Sequence, residues 1–494
     1  MNSVARVVTA SIAAIAALVC VGELISPRWR LTEAQHVPDL PTVNPQPATE
    51  TVPQTRNEVA EEPVAIEVPG DRLEGRIVRP DSPGRFPAVV LVSGAGASAA
   101  DHLLPLAREL AAQGVVALCY TKRTNGYHPV FRRDFELLAD DTLAAAKTLA
   151  GRSYVDAARL GLWGLSEGAG WVVPVAASKD DAIRFTILVS APVTTPGQEV
   201  AWSTDVALQR SGLPQGLRQV VARALNLPGG PQYSRFDPIP YLSKLSQPTL
   251  VIYGLRDAAL PPAQDAERLL AALRTAGNDA VTLRFFDADH RLLLNGEPAV
   301  GYLPTMTGWI KRLPDGGVPS PGLEVAGAQP GPEPALPQIQ RTGWDLGVFG
   351  FAPLALSGLG LAGYLGCGLR RRIGAGADQA ADHWRPVGRP LGRAVAAVLV
   401  MEGAFVGAVG LGVATAVTEA ELDVLAVGLW GLHRVVAIAA VPLAIIAGLR
   451  FRDARRNGWG VSPLDRAQLV AGAAVVVSLL LEGAYWEHFG LHWQ

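Results

Sequence analysis

Gly164-Leu165-Ser166-Glu167-Gly168 sets a serine between two glycines at the spacing G-x-S-x-G. An apolar, strand-like run, 160–165, enters the motif, and a small-residue apolar run, 169–178, leaves it. A strand that turns so sharply into a helix holds the serine hydroxyl exposed above a sheet. Glycines are required because a side chain on either flank would collide with the neighbouring strand or helix. The chemistry on offer is nucleophilic acyl transfer. A serine hydroxyl is a poor nucleophile until a histidine accepts its proton and a carboxylate fixes that histidine's tautomer. The rest of the chain must therefore bring an imidazole and an acid to this turn.

At 494 residues the chain exceeds one ordinary domain. Its three cysteines, Cys20, Cys119 and Cys367, are scattered among apolar surroundings and suggest neither a disulfide framework nor a metal cluster. A formal net charge of -2 argues against nucleic acid as a partner, since phosphate binding needs a concentrated basic face.

Texture divides the chain. Residues 1–25 are largely apolar behind Arg6 and read as an N-terminal signal anchor or signal peptide, the uncleaved anchor fitting better because no small-x-small site follows. Residues 26–63 hold seven prolines among polar residues and read as a semi-extended tether. From Val64, short apolar runs alternate with helical patterns, as in a mostly parallel sheet covered on both faces. Eight strands are expected, at 64–68, 73–79, 88–92, 115–120, 160–165, 185–190, 249–253 and 281–286, with helices at 103–113, 135–149, 263–276 and 300–313. Residues 314–342 are again rich in Pro and Gly and read as a linker.

The stretch 73–192 resembles the esterase and serine-aminopeptidase-like branch of the α/β-hydrolase superfamily. The resemblance is carried by Phe86-Pro87-Ala88-Val89-Val90-Leu91-Val92-Ser93-Gly94-Ala95-Gly96, by Val155 to Gly161 leading into the serine motif, and by Leu188-Val189-Ser190-Ala191-Pro192. It implies an α/β-hydrolase fold over 64–313, with an eight-stranded sheet, the nucleophile Ser166 after the fifth strand, and the triad in chain order Ser, acid, His. His290 is the one histidine that follows Ser166 within this domain, in the loop where the family carries its base. Asp257 follows the strand 249–253 at the family's acid position, with Asp287 and Asp289 as runners-up. The oxyanion donors implied are the backbone N–H groups of Glu167 and Ala95. Related enzymes usually have His-Gly where this chain has Ser93-Gly94, which puts the supporting hydrogen bonds of that loop in question. The insertion 193–247, with Leu213, Leu217, Val220, Val221 and Leu225 at helical spacing, reads as a partly helical cap. Trp202, Tyr233 and Phe236 are candidates to line a pocket beneath it.

Residues 343–494 contain four apolar segments, about 345–369, 394–417, 425–449 and 467–486, each long enough to cross a bilayer. The 370–393 loop carries six arginines and the 450–466 loop five, whereas 394–433 and 467–494 contain no Lys or Arg. Both basic loops are expected in the cytoplasm and the hydrolase domain outside it, in agreement with an uncleaved N-terminal anchor. Gly368-Leu369-Arg370 recurs as Gly448-Leu449-Arg450 and Glu402-Gly403-Ala404 as Glu482-Gly483-Ala484, which suggests two repeated hairpins. Intramembrane charge is costly. Glu402, Arg434 with its neighbour His433, and Glu482 stand out, a Glu402–Arg434 pair holding the bundle being favoured over a proton, ion or lipid path.

The reading is a membrane-anchored extracytoplasmic serine hydrolase acting on small-molecule or lipid carboxylic esters, with no metal or organic cofactor required. A peptidase or an envelope-lipid acyltransferase would use the same triad. The alternative from another class is a non-catalytic binding head on a membrane transport or sensing module.

Overall fold

The computed structural model describes residues 3–25, 28–30, 34–41, 43–44, 56–128, 132–225, 232–313, 322–340, 348–373, 377–418, 423–486 and 488–489. They form two compact units, one of Thr32–Ser203 with Gly230–Leu336, the other of Met1–Leu31, Thr204–Gly229 and Pro337–Gln494.

The first unit is an α/β sandwich around a nine-stranded sheet. Its strands are β1 (Val59–Val68), β2 (Asp71–Pro80), β3 (Phe86–Val92), β4 (Val116–Tyr120), β5 (Val155–Leu165), β6 (Phe185–Val189), β7 (Thr249–Gly254), β8 (Ala280–Phe286) and β9 (Gly322–Gly327), in the order β9-β8-β7-β6-β5-β3-β4-β2-β1. β1 and β2 form an antiparallel hairpin and β2 runs antiparallel to β4, while every pairing from β4 to β9 is parallel. Parallel strands buried on both faces require unbroken apolar runs, and Val89, Leu91 and Ile187 belong to one core while Ala88, Val90 and Leu188 belong to the other. The helices α1 (Leu104–Ala112), α2 (Phe135–Ala150), α3 (Gly168–Ala177), α6 (Pro262–Thr275) and α7 (Tyr302–Arg312) cover these faces, while α4 (Pro196–Arg210) and α5 (Gln215–Leu225) lie in the insertion. This is the α/β-hydrolase architecture expected.

Two expectations fail at the edges of the sheet. Gly322–Gly327 is a ninth strand on the edge of β8, not linker, although 314–321 and 341–347 lie outside the described residues. The expected tether is also docked where it is described: β1 begins at Val59, Gln35–His36 pairs with Glu333–Pro334, and His36 Nε2 lies 2.9 Å from Glu267 Oε2. Main-chain pairing and ion pairs hold this Pro-rich chain, Arg56–Glu109, Glu61–Arg108 and Glu62–Arg152 besides His36–Glu267, and Val43 is buried in the core with Leu40 packed against it.

The second unit is helical. Five helices are long and apolar enough to cross a membrane: Val4–Ile25 within the N-terminal helix, and spans within α8 (Val348–Ile373), α9 (Ala377–Thr418), α10 (Asp423–Arg456) and α11 (Pro463–Tyr485). Leu359, Val406, Val435 and Val470 point outward and are exposed, as lipid-facing positions would be. The repeated hairpins do not pack as such. α9 runs along α10, and α8 along α11. Small residues decide the second pairing: a Cβ on Gly360 would lie 2.9 Å from the carbonyl oxygen of Ala471, so only glycine lets the two backbones approach. The expected Glu402–Arg434 pair is not formed. Among the described residues Glu402 has no ion-pair partner and its Oε2 no donor, while the Arg434 guanidinium lies over the Trp430 ring, 5.0 Å from its centroid.

The insertion 193–247 divides between the units. α4 begins in the first, but Leu208, Leu213, Leu217, Val220 and Val221 join one buried cluster with Phe405, Ala408, Ala426, Trp430, Tyr485 and Trp486 of the second. The buried pair Asp205–Arg218, 3.0 Å apart, ties α4 to α5. Residues 226–231 and the side chain of Leu225 lie outside the described residues.

Candidate active site

β5 is central in the sheet, and its last residues are fixed on both sides, Gly164 opposite Val92 on β3 and Leu188 on β6. Ser166 follows immediately with φ of 53°, a left-handed conformation unusual for a residue with a Cβ, and its N–H donates to the carbonyl of Val189 at 3.0 Å. The flanking glycines are needed for space. A Cβ on Gly164 would lie 2.6 Å from the Ala169 nitrogen, and one on Gly168 2.5 Å from the Val92 carbonyl oxygen. The serine side chain stands beside the loop after β3, since a Cβ on Gly94 would come within 3.3 Å of Ser166 Cβ.

Asp257 lies in the turn after β7 with its side chain fully buried. One oxygen, Oδ1, accepts the backbone N–H of Ala259 at 2.7 Å and of Leu260 at 3.2 Å, and the other, Oδ2, lies 2.7 Å from Nδ1 of His290. This leaves His290 Nε2 as the ring's outward nitrogen. Gly254, the last residue of β7, permits the approach, because a Cβ there would lie 2.3 Å from the carbonyl oxygen of Asp289. Burial acts to lower the His290 pKa, but the Asp257 hydrogen bond and charge, with Glu199 and Asp289 adding to them, outweigh it and the net displacement is upward.

The runners-up for the acid are engaged elsewhere. Asp287 forms a two-pronged exposed pair with Arg256, both contacts at 2.6 Å, and Asp289 accepts the N–H groups of Arg291 and Leu293. Ser166 Oγ makes no hydrogen bond among the described residues, so the structure joins Asp257 to His290 and sets Ser166 at the C-terminal end of β5 without a direct bond between them. The Ala95 and Glu167 amides take no part in the backbone hydrogen bonds around the turn.

Sequence reasoning missed the ionic layer behind Ser166. The Glu167 side chain is fully buried and meets Lys122 Nζ at 2.8 Å, Arg133 at 3.2 Å and the Tyr127 hydroxyl at 3.1 Å. Lys122 also donates to the Gly94 carbonyl, and Tyr127 Oη accepts the Gly96 N–H at 2.9 Å. The residue after the serine is thus tied to both ends of the Gly94–Gly96 loop. Ser93 leaves this support intact, because it comes from Lys122 and Tyr127. The available signal was Thr121-Lys122-Arg123, two cations at the end of an apolar strand, both of which are buried. Arg123 closes a second, two-pronged pair with buried Asp141.

The aromatic candidates pack. Trp202 donates its indole N–H to the Pro334 carbonyl at 2.8 Å. Phe236 and Tyr233 lie edge-on to Phe135, 4.7 and 6.4 Å between centroids, and Arg133 lies over Tyr233 at 4.8 Å. Glu199 on α4 was also missed. Burial raises its pKa to about 7, against the lowering influence of His290 and Arg133, which makes it a carboxyl group within electrostatic reach of the His290–Asp257 pair.

Residues 136–315 match the prolyl oligopeptidase family, a span that includes Ser166, Asp257 and His290. Esterase EstD from Thermotoga maritima is 29% identical over 250 residues, 46% of this chain and 59% of that protein, so the chain spans about three fifths of its length. Among solved structures, a putative dienelactone hydrolase from Klebsiella pneumoniae subsp. pneumoniae is 18% identical over 52% of this chain and 100% of its own, with a TM-score of 0.38. An esterase from Pyrococcus furiosus is 18% identical over 55% and 98%, with a TM-score of 0.39.

Proposed function

From the premise that the chain carries an α/β-hydrolase unit of the esterase and peptidase branch, we propose that it is a membrane-anchored serine hydrolase acting on carboxylic esters. The observation that carries the reading is the 2.7 Å contact between His290 Nδ1 and buried Asp257, set on turns at the same edge of the sheet as Ser166. Asp257 fixes the tautomer in which Nδ1 carries the proton, so that Nε2 is free to act as base. Ser166 Oγ attacks the acyl carbon as Nε2 takes its proton. The tetrahedral oxyanion is held by the N–H groups of Ala95 and Glu167. Collapse expels the alcohol, protonated by His290, and leaves an acyl-serine that water opens by the same sequence in reverse. No metal or organic cofactor enters these steps.

The distribution of arginine supports a hydrolase unit on the extracytoplasmic side. The experiment that tests both claims is labelling of intact cells with a membrane-impermeant fluorophosphonate, native protein against Ser166→Ala. Labelling confined to the native protein supports an activated, outward serine. Labelling only after the cells are opened reverses the topology, and none in either condition returns the weight to a non-catalytic binding head.

One observation favours a second reading. The similarity of 136–315 to the prolyl oligopeptidase family supports cleavage at an acylamino or peptide bond by the same triad. Comparing kcat/KM on p-nitrophenyl acyl esters and on aminoacyl p-nitroanilides separates the two, and trapping of an acylated alcohol would identify acyl transfer.

A further inference from the structure

Two histidines meet inside the helical unit. His433 on α10 is fully buried and His488, just beyond α11, is 2% exposed, their ring centroids 4.7 Å apart and the rings steeply inclined at 68°. All four ring nitrogens are buried without a full-geometry hydrogen bond, although the backbone of Leu429 and Trp430, one turn back on α10, lies within reach of the His433 ring. Aromatic side chains close the site: Phe405 lies 4.3 Å from His488 and 5.6 Å from His433, and Trp430 4.4 Å from His433. Leucine or phenylalanine would fill the same space without stripping water from four ring nitrogens, so packing alone does not account for imidazole here.

The backbone is shaped to deliver His488. After α11 the chain folds back, the His488 N–H donating to the Gly483 carbonyl at 2.7 Å. Glycine at that point leaves room for the ring, because a Cβ on Gly483 would lie 2.9 Å from His488 Nδ1 and push it aside.

We propose that His433 and His488 form a two-imidazole binding site for cuprous copper. Among the described residues no group of three or more His, Cys, Asp or Glu could share an ion, so the site offers two nitrogen donors. Zinc sites ordinarily take four ligands, and calcium or magnesium six or more oxygens. Imidazole is a good copper ligand, and the monovalent ion is satisfied by two donors. A single positive charge is also the least costly one to place in an apolar box near Arg434, whose guanidinium covers Trp430.

The test is anaerobic titration of the purified full-length protein in detergent with Cu(I) against bicinchoninate, a coloured competitor. One equivalent is expected in the native protein and none in His433→Phe or His488→Phe, with monodispersity on size exclusion as the control for folding. Gly483→Ala keeps both imidazoles but displaces one, and should weaken binding by about 100-fold. Native protein that takes up no Cu(I), histidine variants that bind it unchanged, or a tightly held equivalent of Zn(II) that Cu(I) does not displace would each overturn the proposal.

Discussion

Lys122 Nζ stands 2.8 Å from Oε1 of Glu167, both side chains buried, and it joins the end of β4 to the residue that follows Ser166. Breaking a buried pair by removing one partner leaves an uncompensated charge, at a cost of about 3–5 kcal/mol. Glu167→Ala should therefore destabilise the hydrolase unit by about that amount, more than Lys122→Met, after which Arg133 still faces Glu167. The Lys122→Met/Glu167→Gln double variant should regain stability but not activity, since Gly94 stays untied. Thermal inactivation alongside kcat on a p-nitrophenyl ester measures both, and equal recovery of the two would remove the positioning role.

Asp257→Asn preserves shape but loses the charge that fixes His290. A fall in kcat of about 10⁴-fold is expected. Asp287→Asn, which breaks only an exposed pair with Arg256, should stay within about twofold, as surface pairs contribute little. If the two fell alike, the acid would have been misassigned.

The pH profile follows from the raised pKa of His290. The base works unprotonated, so kcat/KM should rise with pH through that pKa, on a limb lying above the ordinary histidine range. Glu199 is among the groups that raise it. Glu199→Gln should move the acid limb to lower pH while leaving the plateau in place. A limb that does not move would mean that Glu199 does not act on His290.

Gly412 on α9 faces Val221 on α5, and a Cβ at 412 would lie 2.7 Å from Val221 Cγ2. Gly412→Leu should therefore wedge the α4–α5 hairpin away from the helices. Arg218 and Arg223 are buried in the native structure and should resist trypsin, but be cut readily in the variant. Equal resistance in the two proteins, read from the fragment masses, would show that the wedge is absorbed locally.

Much of the hydrolase unit was legible because its determinants are local. The strands announced themselves as continuous Val, Leu and Ile runs, since both faces are buried, and the serine, acid and histidine segments each followed one of them. Ser166, Asp257 and His290 were therefore candidates from the serine motif and from the family's order of serine, acid and histidine. What was hidden depends on distant partners. Gly322-Leu323-Glu324-Val325 reads as linker until the open edge of β8 supplies its hydrogen bonds. Lys122 reads as a surface cation until Glu167, 45 residues on, meets it in the interior. Leu217 and Val221 had the spacing of a buried face, but spacing does not name the surface that buries it. In the helices, recurrence at an interval of 80 residues suggested hairpins, whereas glycine-sized gaps chose which neighbours pair.

The division of the insertion bears on how the enzyme can be handled. Trimming the chain to 32–336 is the obvious route to a water-soluble fragment. It would also carry along Leu213, Leu217, Val220 and Val221, stripped of the helices that shield them. Such a fragment should clump or cling to detergent, and its poor behaviour would be mistaken for misfolding of the sheet. Splicing out 204–229 with a short Gly-Ser bridge is the better design for a crystallisable catalytic piece. By the same reasoning, helices expressed without that hairpin would show a bare apolar patch of their own, so neither half is a clean reagent when cut only at the obvious linker.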